Sequence, residues 1–506
     1  MDQPDRVLLI TVDQWRAECL SCLGHPTVRT PNLDRLAGEG VLFRNHYAQA
    51  APCGPSRASL LTGQHLSNHR SALNGTPLAA RFTNLALEVR RHGFDPVLFG
   101  YTDQSPDPRE LDADDPRLRT YEGVIPGFRA VLDLDESLKP WGEWLAARGY
   151  DVTTDVADVY KPVSDAPGSP ARYRAEDSES AFLTETLLNW VDGQGDSPWF
   201  AHAAYIRPHP PYVAPDPYHA MFDPDEVPAP VRRETWEIEG RQHPFLAGAT
   251  GLDLLRGPED EAGVRRMRAA YYGLMAEVDA QIGRLIDGLA TRGALDRTLV
   301  MLTLDHGDML GDHWLTGKLG YFDAAYRIPL IVRDPRAAAD VTRGSVVDRF
   351  TENVDVMPTL LSWLGLPTPV QCDGSSLLPF LEGHDPAHWR TAAAHWEFDF
   401  RDFVNAFSPD AFGLELEECW LTVLRDERAK YVHFAGLPPL FFDLEDDPDE
   451  FEDRAADPAC APRVLEYAQQ MLSWRMEHAE RTLTNLIMTP AGVLDFHRTH
   501  MGRRAS

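Results

Sequence analysis

The chain has 506 residues, 43% apolar and 25% charged, enough for one large α/β domain and a smaller one. Aspartate and glutamate number 78 against 48 lysines and arginines, a formal charge of −30. That balance excludes nucleic acid and anionic membranes as partners, because both need a basic face.

The first residues carry Asp2, Asp5 and Arg6, which do not read as a secretory leader, and no run reaches the length of a membrane span. A cytoplasmic location is therefore expected. In a reducing compartment the six cysteines should stay free, and Cys19-x-x-Cys22 lacks the second pair that a zinc site needs.

In chain order, Val7–Val12 is a continuous apolar, β-branched run and reads as a buried parallel strand ending at Asp13. Thr30-Pro31 supplies an N-cap and a first-turn proline for a helix over Asn32–Glu39 that stops at Gly40. Ser56–Thr62 reads as a helix closed by Gly63, and Asp95–Gly100 as a strand with Tyr101 at its exit. Residues 105–170 are rich in Pro, Asp and Gly and read as long loops walling a pocket. Ala181–Val191 reads as a helix and Trp199–Tyr205 as a strand that runs into the irregular Arg207-Pro-His-Pro-Pro211. Glu261–Leu289 is a long amphipathic helix, and Thr298–Leu304 a second buried strand ending at Asp305-His306.

Beyond Asp373-Gly374, short strands are expected at Thr391–His395, Cys419–Arg425, Lys430–His433 and Leu440–Asp443. A helix over Ala461–Thr482 and an irregular tail follow. The fold class is α/β: a large, mostly parallel sheet with helices on both faces, plus a smaller C-terminal antiparallel-sheet subdomain. The boundaries are an α/β domain over 1–370, the subdomain over 371–460, and a helix with tail over 461–506. Apolar residues from Leu483 to Met488 suggest that the tail is an oligomerisation arm, and the alternative is a tail folded over its own domain.

In open α/β sheets, function gathers at the carboxyl ends of strands. Two strands here end in polar pairs, Asp13-Gln14 and Asp305-His306, and parallel strands put both on one edge. Two carboxylates, an amide oxygen and an imidazole suit a divalent cation. The oxygens favour a hard ion, and the imidazole tilts the choice toward manganese or zinc over calcium. A strand-end aspartate can equally be a helix N-cap. Cys53 lies at a helix start, where dipole and free N–H groups favour anions, and Arg57 falls one turn on. By spacing alone Cys53 is a buried structural thiol or a low-pKa nucleophile, and Arg57 an active-site cation or a surface ion-pair partner.

The segment Cys53-Gly-Pro-Ser-Arg-Ala-Ser-Leu-Leu-Thr-Gly63 resembles the sulfatase signature, with every defining position present. Val7–Gln14, Thr30-Pro-Asn-Leu-Asp-Arg-Leu36 and Thr303-Leu-Asp-His-Gly307 resemble that family's metal strands and first helix. Asp373–Pro379 and Leu440–Pro448 resemble its C-terminal subdomain. Val12–Arg16, Arg207–Pro211, Gly317–Tyr321 and Tyr431–Ala435 are similar to the phosphonate monoester hydrolase branch and its arylsulfatase relatives.

The resemblance implies that a formylglycine-generating enzyme oxidises Cys53 and that the resulting residue provides the nucleophile. It further implies that one divalent metal ion is held by Asp13, Gln14, Asp305, His306 and modified Cys53. Arg57, His209 and Lys318 would be catalytic, and Asn74, Tyr101 and Asp103 would meet substrate. Common sulfatases carry Gly-Lys-Trp-His where this chain has Gly100-Tyr-Thr-Asp103. Tyr101 matches the phosphonate branch, whereas Asp103 replaces a neutral residue there and puts a carboxylate beside an anionic substrate. The expected activity is hydrolysis of sulfate monoesters with phosphonate monoester and phosphodiester hydrolase activity. The alternative is a dedicated phosphonate monoester and phosphodiester hydrolase with sulfatase activity as a side reaction. A homo-oligomer, dimer or tetramer, is expected as in relatives of that branch.

Overall fold

The computed structural model describes residues 5–152, 155–386, 389, 393–402 and 412–495. Its strands, in chain order, are β1 (Arg6–Val12), β2 (Val41–Tyr47), β3 (Ala50–Ala51), β4 (Val97–Gly100), β5 (Arg129–Asp133) and β6 (Trp199–Tyr205). β7 (Thr298–Leu304), β8 (Arg327–Arg333), β9 (Ser345–Val347) and β10 (Thr351–Glu352) follow. β11 (Ala393–Asp399), β12 (Trp420–Asp426), β13 (Ala429–Phe434) and β14 (Leu440–Asp443) lie in the C-terminal part.

The main sheet runs β10-β2-β8-β7-β1-β6-β4-β5, with β9 also on β2. From β7 to β5 every pairing is parallel, and β8 is antiparallel to both β7 and β2. Side chains of β1 alternate between two cores, as pleat geometry requires. Leu8, Ile10 and Val12 pack with Leu33, Leu187 and Ile282 from helices Pro31–Glu39, Glu179–Asp192 and Glu261–Thr291. Val7 and Leu9 pack with Leu60, Leu85 and Leu360 from helices Cys53–Thr62, Leu85–Arg91 and Val356–Trp363. Each such fully buried side chain contributes about 1.5–3 kcal/mol of transfer free energy.

The expected parallel-sheet architecture is thus present, with one strand of opposite direction. The register sets the site. Val12 lies opposite both Tyr205 and Leu304, so β1, β6 and β7 end level and release Asp13 and Asp305 on one edge.

The second sheet orders β14-β13-β12-β11-β3. It is antiparallel except that Ala50–Ala51 pairs parallel with β11. This two-residue strand stands just before Cys53 and ties the start of its helix to the C-terminal part. The strand expected from Thr391 begins at Ala393, and Thr391 itself lies outside the described residues.

Three expectations need correction. Residues 105–170 are not all loop: β5 forms the sheet edge, and a helix covers Lys139–Ala147. In β5 only Leu132 is buried, so the strand shows almost no apolar alternation; Trp141 and Leu145 anchor the helix. The last helix ends at Glu477, where the His478 N–H bonds to Trp474 O, not at Thr482. The tail carries a hairpin, β15 (Leu486–Thr489) with β16 (Gly492–Asp495). Among the described residues, no helix is long and apolar enough to cross a membrane.

Candidate active site and metal centre

The helix expected from Ser56 begins earlier, at Cys53, and all ten of its residues are buried. Its first turn is fixed from two sides. The Gly54 N–H donates to Asn74 Oδ1 at 2.9 Å, and Gln104 Nε2 donates to Gly54 O at 2.7 Å. Ser56 Oγ donates to Asp305 O at 2.5 Å, which locks the helix to the end of β7. Further along, Ser59 Oγ and His69 Nε2 lie 2.9 Å apart, a buried buttress rather than a catalytic contact.

The four strand-end residues converge on Cys53. Candidate ligand atoms of Asp13, Cys53, Asp305 and His306 all lie within 4.8 Å of one another. Cys53 Sγ is 3.3 Å from His306 Nε2 and 3.0 Å from Lys318 Nζ. Lys318 Nζ also donates to Gln14 Oε1 at 2.8 Å, so the Gln14 amide oxygen faces the same space. This set fits a divalent cation on its own chemistry. Two buried carboxylates, an amide oxygen and a neutral imidazole converge, a set of hard oxygens and one nitrogen that suits such an ion. His306 is held neutral, pushed down to about 3 by burial and then by Lys318, as a metal-binding imidazole must be.

Arg57, 1% exposed, lies against three carboxylates and a phenol. Its Nε donates to Asp305 Oδ2 at 3.1 Å, and its Nη2 donates to Asp13 Oδ2 at 3.4 Å and Tyr101 Oη at 3.0 Å. Asp103 Oδ2 is 3.7 Å from Nε. The Arg57 guanidinium also stacks over the Tyr101 ring, 4.2 Å from its centroid. Tyr101 Oη in turn donates to Asp13 Oδ2 at 2.5 Å.

Burial acts against every charge here, and the neighbours decide the outcome. It would raise Asp13, yet Lys318, His209, His306 and Arg57 together hold that carboxyl low. Asp305 goes the other way, raised by burial and then by the Asp13 charge. Burial pushes Asp103 up to about 7, against the pull of Arg57. The Cys53 thiol is pushed well up by burial and then by Asp13, against the pull of Lys318.

All the residues anticipated for the site come together, each with a definable contact. Asn74 acts on the first turn of the helix that starts at Cys53. Asp103 is buried against Arg57 and does not face solvent. His209 is lowered to about 3 by burial and then by Lys318. Its Nδ1 bonds to Pro210 O at 2.9 Å, so the neutral ring carries its proton there and leaves Nε2 as an acceptor. Three participants were not anticipated: Ser56, Gln104 and Asp308. The first lies inside the signature segment, and the last follows Asp305-His306 by two residues. Proximity in sequence was their one available signal. Beside the centre opens a cleft of about 880 Å³ whose wall includes Asn74, Lys318, Tyr212, Leu254, Met267 and Phe398.

Residues 5–366 match the family model described as Sulfatase, and residues 311–477 match one described as N-sulphoglucosamine sulphohydrolase, C-terminal. The chain is 45% identical to the multifunctional alkaline phosphatase superfamily protein PehA of Trinickia caryophylli, over 96% of this chain and 98% of that one. It is 27% identical to an arylsulfatase of Clostridium perfringens, over 95% and 96% of the two chains. The crystal structure of the phosphonate monoester hydrolase of Agrobacterium radiobacter superposes with a TM-score of 0.92 at 46% identity, covering 97% of this chain and 99% of that one. The phosphonate monoester hydrolase of Silicibacter pomeroyi gives 0.92 at 42% identity, with the same coverage. This chain belongs to the sulfatase family, in the alkaline phosphatase superfamily, and is a hydrolase.

Proposed function

We propose that the chain hydrolyses phosphonate monoesters and phosphodiesters, using one divalent metal ion, manganese foremost, and formylglycine made from Cys53. Sulfate monoesters are then a side reaction. The sequence alone placed sulfate esters first. What supports the other order is near-complete coverage at 46% identity by a phosphonate monoester hydrolase, against 27% for an arylsulfatase. The observation that carries the chemistry is the buried convergence of Asp13, Asp305, His306 and Cys53.

When present, the cation supplies Lewis-acid polarisation of a substrate oxygen, and the modified residue 53 supplies a nucleophilic oxygen. The chain's own residues do the rest. Arg57 and Lys318 stay charged against burial, Arg57 through Tyr101 and the carboxylates around it and Lys318 through Cys53 and then Asp13 and Asp305, and they stabilise charge on the non-bridging oxygens of the tetrahedral centre. Tyr101 holds Asp13 in place through its short hydrogen bond. A bound anion opposes the effect of Lys318 on His209 and favours its protonation. Nε2 can then donate to the departing alkoxide. The organic part of the ester takes the cleft, whose Leu254, Met267 and Phe398 offer an apolar wall.

Sulfate and phosphonate monoesters are both singly charged tetrahedral anions, so one site serves both. A parallel panel of an aryl sulfate, an aryl phenylphosphonate and an aryl phosphodiester decides the ranking. We expect kcat/KM for the phosphonate ester to exceed that for the sulfate by at least about tenfold, a transition-state difference of about 1.4 kcal/mol. The reverse order refutes the assignment.

We further propose a cytoplasmic location, which suits six cysteines standing as free thiols, and a homo-oligomer built on the tail. Leu483, Ile487, Met488, Val493 and Leu494 are exposed on the tail, as are Leu465, Leu472 and Met476 on the preceding helix. So much apolar surface in one region marks a contact face. Truncation after Thr482 should reduce the assembly size in gel filtration, and an unchanged size ends the idea.

A further inference from the structure

Asp308 is completely buried and stands outside the ligand cluster. It accepts four hydrogen bonds. Oδ2 takes the Gln14 amide Nε2 and the Tyr212 hydroxyl, both at short range. Oδ1 takes the backbone N–H of Leu310 at 2.7 Å and of Gly317 at 3.0 Å. One carboxylate thereby joins the end of β1, the loop that carries His209, and the loop that carries Lys318.

The contact with Gln14 has a chemical consequence. An amide has a donor end and an acceptor end, and its orientation follows from its partners. Gln14 is gripped by an acceptor-only group, Asp308, at one end and a donor-only group, Lys318 Nζ, at the other, 2.8 Å from Oε1. Both demand the same orientation, with Nε2 toward Asp308 and Oε1 toward Cys53, Asp13 and the proposed cation. The Gln14 backbone is fixed as well, at φ 65° with its N–H on Asp305 Oδ1 at 3.1 Å. The orientation of the amide is the freedom that remains.

We propose that Asp308 is a positioning residue that sets the direction of the Gln14 amide, so that the metal centre meets an oxygen and not an NH2 group. This rests on the metal-dependent function proposed above. All four partners of Asp308 are donors, and only a carboxylate accepts at both atoms. With Asp308→Asn one atom becomes an NH2 group. If the amide oxygen stays on the two backbone N–H groups, its NH2 confronts Gln14 Nε2. Gln14 then meets a donor at each end, neither orientation satisfies both, and its oxygen is no longer held toward the cation.

The test is a four-protein cycle read by manganese affinity, measured by competition with a chromogenic chelator: parent, Asp308→Asn, Gln14→Glu and the double variant. Asp308→Asn should weaken binding about 10- to 100-fold, the range for groups that orient metal ligands. In the Gln14→Glu background the same change should strengthen binding. There it replaces a carboxylate–carboxylate clash with an amide donor, and the residue at position 14 accepts at both ends. A pure charge effect predicts weakening in both backgrounds. Should Asp308→Asn alone not fold, the Gln14→Glu pair still reads the sign. The inference is overturned if Asp308→Asn leaves affinity unchanged or acts in the same direction in both backgrounds. A parent that binds no manganese overturns the metal-dependent reading with it. A parent that binds, beside an unaffected Asp308→Asn variant, overturns this inference alone.

Discussion

Replacing Cys53 by alanine should lower turnover by at least about 10⁴-fold, on the scale of nucleophile deletions, while the fold changes little and the metal, losing one of its expected ligands, binds more weakly. The thiol itself is a poor nucleophile here, because burial and then Asp13 push it well above its ordinary range. The proposed chemistry accordingly runs through an altered residue 53 and not through its thiol. The variant removes the polar end of one side chain from the start of a helix that Asn74, Gln104 and Ser56 hold independently. Its packing cost should stay near 1 kcal/mol, on the scale of one deleted buried group. Three measurements carry the test: kcat/KM on the preferred ester, circular dichroism, and mass spectrometry of the peptide spanning residue 53 from active parent protein. An active parent whose peptide holds only an unmodified thiol would contradict the formylglycine assignment. So would an alanine variant that retains activity within tenfold of the parent.

The same site shows what a linear pattern of residues can convey. Val7–Val12 and Thr298–Leu304 are apolar at nearly every position because both faces of these strands are covered. That pattern placed Asp13 and Asp305 at strand ends before any contact was known. The signature from Cys53 to Gly63 added Cys53 and Arg57 to the expected site. Direction and partnership were not legible. Arg327–Arg333 reads as a strand whichever way it runs, so its antiparallel placement next to β7 follows from connectivity alone. β5 escaped because an edge strand with one buried residue has no alternation to detect.

The environment of single polar residues was the least legible feature. Asp103 is an ordinary aspartate in sequence, and only the packing of its backbone on Gly54 and its burial beside Arg57 make it a perturbed acid. Asp308 likewise carries no motif of its own. Its role follows from four donors that arrive from segments up to 294 residues away. Periodicity reports which face of an element is covered. It cannot report which polar group meets which across that distance.

Arg57→Ala should be the most damaging change outside residue 53, in both activity and stability. In activity, kcat/KM should fall by about 10³-fold, the scale for losing a donor aimed at developing charge. In stability, Arg57 is the cation placed among Asp13, Asp305 and Asp103, at 3.4, 3.1 and 3.7 Å. Removing one partner of a buried ionic group costs about 3–5 kcal/mol, because the charges left behind have no solvent. The loss should depend on pH, with a definite sign. Burial raises Asp103 to about 7 even against Arg57, above its unfolded value of about 4. A carboxyl raised in the folded state stabilises below its unfolded pKa and loses that contribution as pH rises through the folded value. Without Arg57 the folded value climbs further, so the variant should be only mildly destabilised at pH 5 and severely so at pH 8. Arg57→Lys keeps the charge but not the planar fork. It should retain most of the stability while losing about 10²-fold in kcat/KM. Urea unfolding of the chelator-treated proteins at both pH values, beside kcat/KM with manganese, separates the two effects. Asp305, raised likewise and also opposed by Arg57, adds to the same trend, and equal destabilisation at pH 5 and pH 8 would remove both carboxyls from the account. An Arg57→Ala enzyme within tenfold of the parent would remove Arg57 from the chemistry.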